Sequence, residues 1–265
     1  MKSMFLVVKE QITSLYLIKR LSLFEMKSAN TNNYLGILWE IINPMIQLSI
    51  YWFVFGEGIR KGEPIGDVPF VYWMITGMVV WFFVNPAILQ ASKSIYTRIN
   101  FISKMSFPMS VIPTYVIVSK LYSHLMLVGV ITLILQFAGY RLSVFFVQLP
   151  YFMFAGLMLL IAISLITSTL ATIVRDVQMI VQAIIRMLLY LTPLLWHPTG
   201  YILKLMMINP LFYIVEGYRS AMLGTGWYIL ENPQYTLYFW GVVLVLLLIG
   251  SVLHVKFRNH FIDYL

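Results

Sequence analysis

From residue 177 to 196 the chain is apolar except for Gln178, Gln182 and Arg186. It breaks at Thr192-Pro193, at His197-Pro198 and again at Asn209-Pro210. The apolar piece 201–208 is, at ~1.5 Å per residue, far too short to cross a ~30 Å hydrocarbon core. The piece 211–223 reads as an amphipathic helix with Glu216 and Arg219 one turn apart. Short, broken helices persist at membrane depth only where protein or a water-filled cavity surrounds them. The pattern predicts a span followed by a re-entrant helical hairpin, about 197–224, at the mouth of a pathway.

Composition makes the surroundings a membrane. Of 265 residues 60% are hydrophobic and 11% charged, with a mean hydropathy of +0.85, a balance outside the range of ordinary soluble domains. The absence of cysteine excludes a disulfide framework and thiolate chemistry. Residues 1–10 carry no apolar run and cleavage site of the kind a signal peptide needs. A net charge of +8 calls for a basic surface facing anionic lipid, an anionic cargo, or both.

The expected fold is an all-α polytopic membrane protein. Residues 1–34 form an N-terminal interfacial amphipathic helix, with Leu17, Leu21 and Phe24 on one stripe among lysines and arginines. Residues 35–265 hold six transmembrane helices, about 35–55, 70–91, 111–137, 149–174, 177–196 and 236–253, with the extracellular hairpin between spans five and six. Both termini then lie on one side. That side carries eleven Lys and Arg against five on the other, which places the termini in the cytoplasm. No internal repeat is visible, against the inverted-repeat secondary transporters.

No motif carries catalysis. There is no phosphate-cradling glycine loop, no zinc-protease motif and no nucleophile elbow. The four histidines, His124, His197, His254 and His260, lack metal spacing. Asp67, Asp176 and Asp263 are scattered, which disfavours a membrane enzyme acting on a lipid-linked sugar. A transporter of this kind must draw its energy from another polypeptide. The basic segment 92–107, with Ile95, Ile99 and Ile102 on one face, is the best candidate for a helix that fits a partner's groove; a solvated loop is the plainer alternative.

Two further features suggest a path. Trp73, Trp81, Phe82 and Phe83 spread over three turns of the second span. Such a stripe offers flat faces to sugar rings without a fixed register, although aromatic residues at span ends are commonly interface anchors. Charged groups inside spans are functional suspects: Glu40 and Lys120 lie near enough to span ends to snorkel, whereas Arg186 is flanked by about two apolar turns on either side and should face a carboxylate, a phosphate or water.

The run from Leu35 to Pro44, the pair Arg175-Asp176, the Thr192-Pro193 break and the order Asn209-Pro210-Leu211, Glu216-Gly217-Tyr218-Arg219 and Leu223-Gly224 resemble the permease subunits of polysaccharide-exporting ABC transporters over nearly the whole chain. Within them the likeness is strongest to the wall teichoic acid translocation permeases of Gram-positive bacteria, with O-antigen and capsule permeases next. The resemblance implies a homodimer in the bacterial cytoplasmic membrane, joined by two copies of a separate ATPase subunit that binds ATP and Mg²⁺. This chain itself would need no cofactor or metal and would bind no nucleic acid. It implies a coupling helix using Lys93, Arg98, Ile99 and Lys104, helped by Arg175 and Asp176. Lys19, Arg20 and Lys27, together with Arg186, would receive the lipid pyrophosphate of an undecaprenyl-linked anionic polymer. Asn209, Pro210, Glu216 and Arg219 would belong to the extracellular gate, and Trp73, Trp81, Phe82 and Phe83 to the polymer path.

Overall fold

The computed structural model describes residues 1–29, 31, 33–98 and 108–261. Helices α1 (Lys2–Thr13) and α2 (Leu15–Ser28) come first. The Gly36–Ile59 stretch follows, made of a 3-10 turn, α3 (Trp39–Tyr51) and a π-helical end (Trp52–Ile59). Then come α4 (Phe70–Ser92), α5 (Val111–Phe137), α6 (Leu149–Ile173), α7 (Val177–Leu191), α8 (Gly200–Met206), α9 (Pro210–Leu223), α10 (Tyr228–Glu231) and α11 (Pro233–Phe257).

Among the described residues, five helices are long and apolar enough to cross a membrane: Gly36–Ile59, α4, α5, Val144–Ile173 and α11. The expected fifth span differs. Its helix, α7, has only 15 residues, short of the ~20 that a full crossing takes. Pro193 is the reason: the residue before a proline is driven out of the helical region, and Thr192 is extended at φ −98°, ψ 129°. The N-terminal stretch also differs from the single helix expected, because the chain turns at Ser14 and makes two.

Helix α4 is the centre. It packs on α5, α6, α7 and α9, and 72% of its apolar window is buried, against 6% for Gly36–Ile59. Helices α6 and α11 approach closely where Gly250 meets the main chain: a Cβ there would lie 2.9 Å from the Leu165 Cβ and 3.2 Å from the Ala162 carbonyl. Small residues allow this kind of packing where lipid offers no hydrophobic drive between helices.

Ion pairs tie the two termini to one end of the bundle. Glu10 on α1 accepts from Arg258 beyond α11 at 2.7 Å and from the Ser110 hydroxyl at 2.5 Å. Gln11 donates to the Ser110 carbonyl at 2.9 Å, and Glu25 on α2 pairs with Arg98 beyond α4. Val7 packs with Ala162, Leu165 and Leu247. The α8–α9 pair sits towards the opposite end, where Tyr213 shares a hydrogen bond with Thr236 (2.9 Å) and Gln148 donates to the Gly226 carbonyl (2.7 Å).

Helix α9 is defined sharply at both ends. The Asn209 side chain accepts from the Leu211 amide at 3.0 Å, Pro210 takes the first helical position, and Gly224 ends the helix at φ +73°. Gly217 lets it seat: a Cβ there would strike the ring of the fully buried Phe152. Gly217→Ala should destabilise the protein by about 1–3 kcal/mol and lower its Tm in detergent. Gly241→Ala on α11, where a Cβ meets open space, should leave the Tm unchanged or raise it slightly.

Candidate functional site

Helix α9 carries a charge into the interior. Arg219 is only 3% exposed, and its guanidinium is held on every side. Nη1 meets Glu216 at 2.5 Å, Nη2 donates to the Pro193 carbonyl at 2.7 Å, and Nε donates to the Trp73 carbonyl at 3.3 Å. Its Cζ lies 3.4 Å from the centre of the Trp73 ring, a cation–π contact. The group fits because residue 77 is glycine: a Cβ there would come within 2.7 Å of Nη2. One side chain thus joins α9 to α4 and to the extended chain after α7. The Pro193 break supplies the second carbonyl, which lies past the end of α7 and has no intrahelical partner.

Neighbouring contacts reinforce the seat. Asn209 donates to the Thr192 hydroxyl at 2.9 Å, and Tyr218 shares a 2.7 Å hydrogen bond with His124 near the midpoint of α5. Phe83 stacks on His124 at 4.8 Å. His124 and His254, which is bonded to Thr169 at 3.1 Å, are core histidines bonded through one ring nitrogen each, with the other nitrogen left without a partner among the described residues. Burial first, then the negative charge of Glu216, pushes the Tyr228 phenol above its usual range, so it stays a neutral donor and acceptor beside the site.

The other sequence-derived residues fall into separate groups. Trp73, Trp81 and Phe83 are buried inside the single chain, while Phe82 is half-buried. Lys93 is exposed, and Arg98 is engaged by Glu25. Ile99, Lys104 and most of segment 92–107 lie outside the described residues. Arg175 and Asp176 are exposed on the turn before α7. That turn is tied to the end of α4, because Ser92 donates to Gln178 at 2.5 Å and Gln178 donates to the Leu89 carbonyl at 3.2 Å. The turn and the start of the basic segment are therefore neighbours at the terminal end. Lys19, Arg20 and Lys27 are exposed on α2, which packs on α5. Arg186 is exposed on α7, which packs on α4 and α6, and its Nε returns to the Gln182 carbonyl at 3.2 Å. Within one chain Arg186 is not brought to the α2 cations. The acids Glu10 and Glu25 escaped the sequence reading; each is a lone acid in a basic stretch, the one signal available.

The profile of ABC-2 type transporters matches residues 16–223. The chain belongs to this family. Three similar proteins carry the name O-antigen export system permease protein RfbA. One, from Myxococcus xanthus, is 23% identical over 202 residues, covering 74% of this chain and 76% of its own length. Two are from Klebsiella pneumoniae, at 27% identity covering 88% and 90%, and at 25% identity covering 91% and 92%. As an ABC-2 transporter the chain is a multi-pass membrane subunit.

Breaking a buried pair by removing one partner costs about 3–5 kcal/mol, because the charge left behind is uncompensated. In this ABC-2 transporter Arg219→Lys should lower the Tm strongly, since one ammonium cannot reach Glu216, Pro193 and Trp73 in the planar fork that arginine supplies. Glu216→Gln should cost less, because that carboxylate is 27% exposed. Thermal denaturation of both variants and of the double variant gives the coupling, expected to be well short of additive.

Proposed function

We propose that this chain is the permease of an ATP-driven exporter of lipid-linked polysaccharide. The observation that carries the reading is the similarity, over about nine-tenths of both chains, to permeases named for O-antigen export. In this reading two copies assemble with two copies of a separate ATPase that holds ATP and Mg²⁺. The scant burial of Gly36–Ile59 and the exposed apolar residues Met179, Ile180, Ile184 and Met187 on α7 support a second copy seated there. Helix α7 and the extended chain after it act as the remaining crossing, the α8–α9 pair re-enters as the outer gate, and the terminal end faces the cytoplasm. Lys93, Arg98 and the Arg175-Asp176 turn then receive the ATPase, and Lys19, Arg20 and Lys27 meet the lipid pyrophosphate. Wall teichoic acid is a second cargo reading, favoured by the net charge of +8 and by the resemblance to teichoic acid permeases.

Cells depleted of the chain should lose surface polymer and accumulate finished, lipid-linked polymer inside. Polymer that never forms would instead point to a biosynthetic enzyme. Export from inverted vesicles loaded with either a neutral glycan or a phosphodiester polymer separates the two cargoes.

Arg98 has two candidate roles, docking and the internal pair with Glu25. Arg98→Glu should reduce ATPase stimulation in the complex. Adding Glu25→Arg restores an internal ion pair with its signs reversed. If docking dominates, the swap leaves ATP hydrolysis low; if the internal pair dominates, hydrolysis recovers.

A further inference from the structure

An apolar cavity of about 440 Å³ lies against the elbow at Ser14, where α1 turns into α2. Val8 and Gln11 of α1, Thr114 and Val118 of α5, and Leu157 and Ile161 of α6 line it. The sequence builds this wall by periodicity. Phe154, Leu157, Met158 and Ile161 recur at i, i+3, i+4 and i+7, so one face of α6 borders the cavity over two turns, about 10 Å. Helix α1 is tied across it through Glu10 to Arg258 and Ser110, and Ile18 of α2 belongs to the core.

The two polar residues of the lining mark one end. Gln11 donates to the Ser110 carbonyl, and Thr114 stands one turn further along α5. Gln11 Oε1 and Thr114 Oγ are buried there without a partner among the described residues. The other end, towards Phe154, is apolar.

The surroundings and the size decide what fills the space. Ile12, Leu15 and Phe154 line the cavity and are themselves exposed. Leu247 lines it from α11, beside the exposed Leu244, Val245 and Leu248. The opening is thus continuous with the apolar outside of a span, and the faces assigned above to a second copy belong to other helices, Gly36–Ile59 and α7. Apolar cavities stay dry, and one of about 150 Å³ takes up benzene, six carbons. At about three times that volume this cavity has room for roughly 18 carbons. A fatty acyl chain is of that size, whereas an undecaprenyl chain is several times too long. Lys9, Lys19 and Arg20 are exposed on the same two helices, which suits a phosphate at that level.

We propose that the cavity holds one acyl chain of a membrane phospholipid. The glycerol ester lies at the Ser110 end, where its carbonyl accepts from the Thr114 hydroxyl, and the methyl end points towards Phe154. The chain completes the wall on which α1 and α2 rest, whichever polymer the transporter carries.

The test uses membranes from cells making the full chain, supplied with phosphatidylglycerol whose acyl chain bears a diazirine either beside the ester or at the methyl end. After illumination, peptide mapping should place the first probe near Gln11 and Thr114 and the second near Phe154 and Leu157. Each should exceed by at least fivefold the label around Leu133, an exposed apolar residue on α5. Excess undecaprenyl phosphate should leave both unchanged; displacement by it would overturn the proposal in favour of a polyprenyl chain. Label spread evenly between Leu133 and the cavity, or both probes marking the same residues, would also overturn it. Val118→Trp with Leu157→Trp narrows the cavity from two helices and should cut its label at least fivefold, leave that at Leu133 unchanged, and hold or raise the Tm. Label at the wild-type level in this variant would sink the assignment; should the variant fail to fold, the maps and the competition on the unaltered chain decide alone.

Discussion

The seating of α9 depends on a charge being buried where charge is expensive. An isolated guanidinium in a low-dielectric interior is held only when its nitrogens find acceptors. Arg219 finds a carboxylate, two carbonyls and an aromatic face. Each acceptor belongs to a different structural event. Glu216 is one turn back on the same helix, Trp73 lies in the first turn of α4, and Pro193 is where α7 has stopped. The pairing can form only if all three are correctly placed, so it specifies how the hairpin docks more than it adds stability.

Much of this was legible in the sequence, because the signals were local. The long spans show as uninterrupted apolar runs, and α5 begins and ends at the expected residues. Asn209-Pro210 and Leu223-Gly224 bound α9 by cap chemistry that needs no tertiary information. Glu216 and Arg219 pair as their spacing allows. What was illegible depends on contacts distant in sequence. Nothing near Gly77 signals an arginine 142 positions later, and nothing near Glu25 signals Arg98. The aromatic stripe shows the same limit. Three of its four rings turn inward to pack within the chain, which a period of 3.6 permits but does not require.

The two ends of the bundle are built by different means, and this bears on how work could pass through it. At the terminal end, α1 and α2 are held by surface ion pairs, Glu10 with Arg258 and Glu25 with Arg98, all partly solvated. Exposed pairs contribute little stability and rearrange readily. From the middle of the bundle towards the other end the contacts are buried, and His124, Tyr218, Phe83 and Phe152 pack around α9. Helix α4 is the common element, touching Gln178 at one end and Arg219 near the other. A shift along its axis would therefore be felt at the hairpin.

The molecule treats the polar groups along its helices in two distinct ways. Arg219, Tyr218, Ser92 and Thr169 are each matched to a named partner, as the cost of an unpaired group in lipid demands. Others are left without a partner among the described residues: the hydroxyls of Thr114, Ser168 and Ser251, Nδ1 of His124 and Nε2 of His254. The matching is therefore selective, and it concentrates on the contacts that seat α9 more than on every polar atom of the spans.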